Sequence, residues 1–352
     1  MLVNYPISAA QDNNWVHECI YETISFIFKS LNQAAAMPEW PGILPQRHRE
    51  RLKSRTTVKA LLERVENISA QLTAEQREKT LLLINNQNDI AGLLVGTTAP
   101  LVIEPEIKPL TDCLKLVFLE GFRLLTETGS RDAHYKAIYD SLTVKTCPFC
   151  GYETFEAPGQ KREDEDHYLL KDKYITSAAN LFNLVPMGGK CNKSYKLQQD
   201  LLFKDNIRRK ALNPYGTIKA EISLINTTPI TLLDEKPDWN ISISPDIEET
   251  RTWNEVFSIE ERLKETVLSP NFEAVLSDIG DFLRHLDLER KSSNDQVLAG
   301  LVKFEYYKKR NPEQGLGYLK DKVAGMLRFH FESGNPLVVA LVRNTLPQIE
   351  AA

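Results

Sequence analysis

Between Cys147 and Lys196 the chain drops the helical periodicity that runs through both of its flanks, and this interruption limits what the whole can fold into. Gly, Cys, Pro and Asn recur there at close spacing with short apolar pieces between them, which suits turns and short strands. The side chains fit for chemistry gather in the same stretch: Cys147, Cys150, Asp166, His167, Asn183, Cys191, Asn192, Lys193 and Lys196.

The flanks read as helices. Ile20, Ile24, Ile27 and Leu31 recur at helical spacing within Trp15–Leu31, and Pro38 and Pro41 close the pattern. Further helices are expected over Val58–Leu72, over Ala74–Leu94 with Thr73 as its N-cap, and near Thr111–Thr128 and Asp132–Leu142. Thr217–Ile225 and Trp239–Ser244 alternate as strands do, with Pro229 and Pro237 in their connection. Helical spacing returns over Trp253–Val267, Phe272–Leu288, Asp295–Lys309 and Tyr318–Phe331. These patterns predict an α+β protein in three parts: a helical domain over 1–140, a compact core over 141–205, and short strands followed by helices over 206–352.

With 42% hydrophobic and 26% charged residues, composition excludes a disordered, collagenous or coiled-coil chain. The N-terminal residues lack a basic segment followed by an apolar run, and no apolar stretch reaches the roughly 18 residues that span a bilayer. A cytoplasmic protein is therefore expected. Five cysteines, an odd number without an export signal, favour metal binding over a disulfide framework. A net charge of −5 argues against a surface basic all over, so any nucleic-acid face must be local. One candidate is the run Arg47, Arg49, Arg51, Lys53, Arg55 and Lys59, in which Glu50 is the sole acid. A second is Tyr306, Tyr307, Lys308, Lys309 and Arg310, where a helix end complementing its dipole explains the charges equally well.

The order CxxC (Cys147, Cys150), Asp166-His167, Asn183 in NLVP and Cys191-Asn192-Lys193 resembles the HNH, or ββα-metal, endonuclease family over about 50 residues. The resemblance implies a strand ending at Asp166-His167, a second strand at Leu184–Met187 and a helix from near Lys190. It further implies Asp166 and Asn192 as ligands of Mg²⁺ or Mn²⁺, His167 as the general base, and Asn183 as the residue that steadies the His167 loop. On an extended strand His167 points away from Asp166 unless the backbone twists. Lys193 and Lys196 are expected to hold a substrate phosphate.

Cys147, Cys150 and Cys191 match three of the four cysteines of the zinc clasp that braces many such cores; Gly188 stands where the fourth belongs, so either a residue such as Cys113 or His134 substitutes or the clasp has decayed and hydrophobic packing braces the core instead. Leu170 replaces a proline common in relatives. Glu163, Asp164 and Glu165 are read as a solvated loop rather than as extra carboxylates at the metal. The function implied is DNA hydrolysis by an effector of a bacterial antiviral defence system, with an ATPase as protein partner. The alternative is a degenerate core that binds nucleic acid or serves as an adaptor.

Overall fold

The computed structural model describes residues 1–160, 165–228, 237–312 and 319–348. Helices dominate, accompanied among the described residues by three two-stranded antiparallel sheets, which is a mixed α and β architecture. The chain divides into two compact units. One comprises Met1–Val3, Thr143–Phe155 and Lys219–Ala352; the other comprises Asn4–Leu142 and Glu156–Ile218.

The expected three-part division is thus redrawn. Residues Glu156–Ile218 join the N-terminal helices, and the CxxC turn joins the C-terminal region. Strands of two or three residues bury too little apolar surface for a core of their own, so each piece completes a larger one.

In the second unit the Lys108–Glu127 helix is the central beam. Leu110, Leu114, Val117, Phe118, Gly121, Leu124 and Leu125 form its buried stripe, at spacings of three and four. It packs on the Trp15–Asn32 and Thr56–Ala70 helices and on the turn Ile175–Ser177. Gly121 permits this approach: a Cβ there would stand 2.5 Å from Ile20 Cδ1 and 2.9 Å from Ala179 Cβ.

Thr73 caps its helix as expected. Its Oγ1 accepts from Gln76 N at 3.2 Å, while Gln76 Oε1 accepts from Thr73 N at 2.9 Å. The helix then ends at Asn88 rather than Leu94, because the Asp89 carboxylate accepts from Gly92 N at 3.0 Å and caps a separate helix, Ile90–Val95.

In the first unit Glu221–Ser223 pairs with Ser242–Ser244, shorter than the alternation predicted, and Pro229 lies outside the described residues. The helices Glu248–Phe257, Ser269–Arg284, Asn294–Arg310 and Lys320–Glu332 follow, with the expected start at Tyr318 also outside the described residues. A further helix, Pro336–Asn344, was not anticipated from spacing. No helix among the described residues is long and apolar enough to cross a membrane.

Candidate active site

Asp166 and His167 form a two-residue strand paired antiparallel with Leu184 and Val185, in the register Asp166↔Val185 and His167↔Leu184. Both line one cavity of about 380 Å³. The strand is too short to enforce the opposite-facing arrangement that an extended pair would adopt.

Asn183 supports the segment that follows. Its Oδ1 accepts from Leu169 N at 2.7 Å, and its Nδ2 donates to Leu169 O at 3.0 Å and Ser177 Oγ at 3.0 Å. The side chain is fully buried, so this amide ties the exit of one strand to the entry of the next.

His167 is buried, and its Nε2 stands 3.0 Å from the Ala178 carbonyl oxygen. Burial pushes the imidazole down to about 4, against the upward pull of that carbonyl, and Lys171, Lys196 and Arg131 depress it further. The ring is therefore neutral at pH 7. A carbonyl can only accept, so the single proton sits on Nε2 and Nδ1 keeps its lone pair.

The Phe122 ring packs at 4.7 Å, centroid to centroid, from the His167 ring. Phe122 follows Gly121 on the Lys108–Glu127 helix, and Gly121 abuts Ala179, the neighbour of the carbonyl that orients His167. One turn of one helix thus supports the imidazole from two sides. Nothing in the spacing of the short strands points to Phe122.

Asp166 is held by Lys196. The ammonium lies 2.6 Å from Asp166 Oδ2 and donates to His167 O at 3.0 Å. Burial holds the Asp166 carboxyl above its ordinary value, and the charge of Lys196 offsets only part of that rise. The Lys196 side chain is 0% exposed, so it faces inward instead of standing at the surface for a phosphate. Lys193, three residues earlier on the Cys191–Lys196 turn, is exposed.

Asn192 is half-buried on that turn and is not among the described residues that line the cavity. The helix expected from near Lys190 takes π-type form over Cys191–Lys196 and is ended by Leu197 at φ +47°.

Glu165 departs from its reading as part of a solvated loop; Glu163 and Asp164 lie outside the described residues. The Glu165 side chain is fully buried. Its Oε2 accepts from Arg131 Nε at 2.8 Å, and its Oε1 stands 3.1 Å from His134 Nδ1. Burial alone raises this carboxyl, but His134 and Arg131 outweigh it and hold the group below its ordinary value. The other His134 nitrogen, Nε2, is 2.7 Å from the Tyr215 hydroxyl, so both ring nitrogens are engaged and His134 does not serve as a metal ligand here.

Within the first unit, Cys147 and Cys150 sit on a tight turn. Gly151 N donates to Cys147 O at 2.8 Å with Gly151 at φ +81°, and Cys147 N donates to Glu153 O at 2.7 Å. Trp253 Nε1 donates to Phe149 O at 3.1 Å, and Arg262 pairs with Glu153 at 2.7 Å, pinning the turn from outside. Both thiols are buried and outside any disulfide, a pair that could bind a metal such as zinc. Cys191, in the second unit, is also buried and outside any disulfide.

The basic run is occupied locally. Arg47 pairs with Glu22, Lys53 with Glu50 at 2.6 Å and Arg55 with Glu127 at 2.6 Å, while Arg49 donates to the Leu44 and Gly42 carbonyls. Arg51 lies over the Trp15 ring at 4.8 Å. These cations brace the loop against its own unit. In the second aromatic and basic group, Arg310 donates to the Tyr306 hydroxyl at 2.9 Å and Lys308 faces Asp278 at 3.7 Å.

No family model, curated protein or solved structure matches the chain.

Proposed function

We propose that this protein is a divalent-metal-dependent endonuclease of the HNH type that hydrolyses phosphodiester bonds of DNA. The observation that carries the reading is the 3.0 Å contact of His167 Nε2 with the Ala178 carbonyl oxygen, which leaves Nδ1 as the basic nitrogen of an imidazole on the same cavity wall as Asp166. His167 Nδ1 accepts a proton from water as the water oxygen attacks phosphorus. The P–O bond to the leaving oxygen breaks, and that oxygen takes a proton from solvent.

Asp166 offers a hard carboxylate oxygen on the cavity wall, shared with the Lys196 ammonium. Asn192 is the second oxygen donor in this reading. So sparse a set suits Mg²⁺ or Mn²⁺, which keep several waters and would neutralise charge on the phosphate. Lys193, exposed and next to Asn192 in the chain, is the phosphate contact in this reading. A structural zinc held by Cys147 and Cys150 belongs to the same reading, supported by two buried thiols on one turn outside any disulfide. A role as effector of a bacterial antiviral system, acting with an ATPase partner, rests on the family resemblance and on the large helical flanks.

One observation favours a second reading. The Lys196 ammonium already neutralises Asp166, as a built-in cation does in a core that binds nucleic acid without cutting it. Incubating the full chain with plasmid DNA and Mg²⁺ or Mn²⁺ separates the two. Cleavage abolished by Asp166→Asn supports the nuclease; DNA retention without cleavage and without Mn²⁺ binding supports the degenerate core.

A further inference from the structure

The carboxylates on the His167 cavity wall are each matched by a cation. Glu165 pairs with Arg131, Asp166 with Lys196, and Asp172 with Lys115 at 2.7 Å. Lys171, on the same wall, makes no ion pair with any described residue; its ammonium lies 5.9 Å from the centre of the Phe122 ring. The Arg131 guanidinium stacks over that ring at 4.9 Å. Its Nε is fixed by Glu165 and its Nη1 by Thr126 Oγ1 at 3.1 Å, while Nη2 donates to none of the described residues. Two cations therefore flank the ring that supports His167, one of them locked in orientation with a donor to spare.

We propose that Arg131 and Lys171 form the subsite that seats a phosphate group of the substrate beside His167. The proposal rests on the nuclease reading for what happens to that phosphate, but not for its binding. A planar guanidinium anchored along one edge loses little freedom on meeting an anion, and a lysine with no described carboxylate at ion-pair distance gains an anionic partner. Glu165 and its buried partner His134 set the Arg131 fork in place, which gives the Glu165 carboxylate a positioning role.

The test is fluorescence anisotropy of a short fluorescein-labelled single-stranded DNA with the full chain in EDTA, with inorganic phosphate as competitor. Lys171→Gln and Arg131→Lys should each weaken binding by roughly tenfold or more, while Lys303→Gln, an exposed lysine of the other unit, should not. Arg131→Lys is chosen over alanine because it keeps a cation for the buried Glu165, and melting temperatures confirm that each variant folds. Unchanged affinity in folded Lys171→Gln and Arg131→Lys, or no saturable binding by the wild type, overturns the proposal. Weakened binding in both variants, with no cleavage under any metal, keeps the subsite and rejects the nuclease. Metal-dependent cleavage with unaltered binding does the reverse.

Discussion

Lys196 Nζ lies 2.6 Å from Asp166 Oδ2, with the lysine side chain entirely out of solvent. Two opposite charges taken from water together stabilise little relative to an apolar pair, but removing one strands the other. Lys196→Met should therefore lower stability by about 3 kcal/mol. Adding Asp166→Asn to it should restore a large part of that loss. Urea denaturation of the two single variants and the double variant measures the coupling; strictly additive losses would show that the pair is not energetically linked.

Asn183 closes three hydrogen bonds inside the protein, to Leu169 N, Leu169 O and Ser177 Oγ. Asn183→Ala leaves those partners buried without replacements, so a loss of about 2 to 4 kcal/mol is expected from the unmet donors and acceptors. Thermal denaturation reads the loss. A variant as stable as the wild type would mean that water or rearrangement satisfies the loop.

Gly121 is where the central helix meets Ile20 and Ala179. Gly121→Val forces branched carbons into contacts already too close for a Cβ, and overpacking of this kind costs about 1 to 3 kcal/mol or more. Because Ala178 carries the carbonyl that orients His167, the strain should also lower the activity of the molecules that stay folded. Activity per folded molecule, from cleavage assays paired with circular dichroism, separates the two effects.

His17 is buried in the Trp15–Asn32 helix with its ring 5.7 Å from that of Phe118, and burial pushes it down to about 4 from 6.5. A folded-state value below the unfolded one means that the unfolded chain takes up the proton first. The stability due to a neutral His17 is therefore fully present above pH 6.5 and is lost as pH falls toward 4. Its magnitude is on the order of 3 kcal/mol. His17→Leu should flatten that part of the profile. An unchanged slope between pH 6.5 and 4 would place the acid sensitivity elsewhere.

The helices were legible because their apolar stripes are long, and Thr73 was legible because its cap is local. Asp89 was missed: a capping aspartate inside an apolar run keeps the helical spacing while ending the helix. Asp166, His167 and Asn183 could be named from motif order. Their supports could not, since Phe122, Gly121 and Arg131 come from elements many residues upstream that only tertiary packing brings near. The inward course of Lys196 and the burial of Glu165 were hidden for a related reason. Charged side chains in a polar stretch look solvated until their partners, Asp166 in one case and Arg131 and His134 in the other, are seen beside them.

The most direct test of His167 as the base is single-turnover cleavage of supercoiled plasmid with Mn²⁺ by the full chain and by His167→Ala. Removal of a general base is expected to slow cleavage per folded molecule by about 10² to 10⁴-fold while plasmid binding stays close to that of the wild type. Cleavage by a folded His167→Ala variant at the wild-type rate would contradict it.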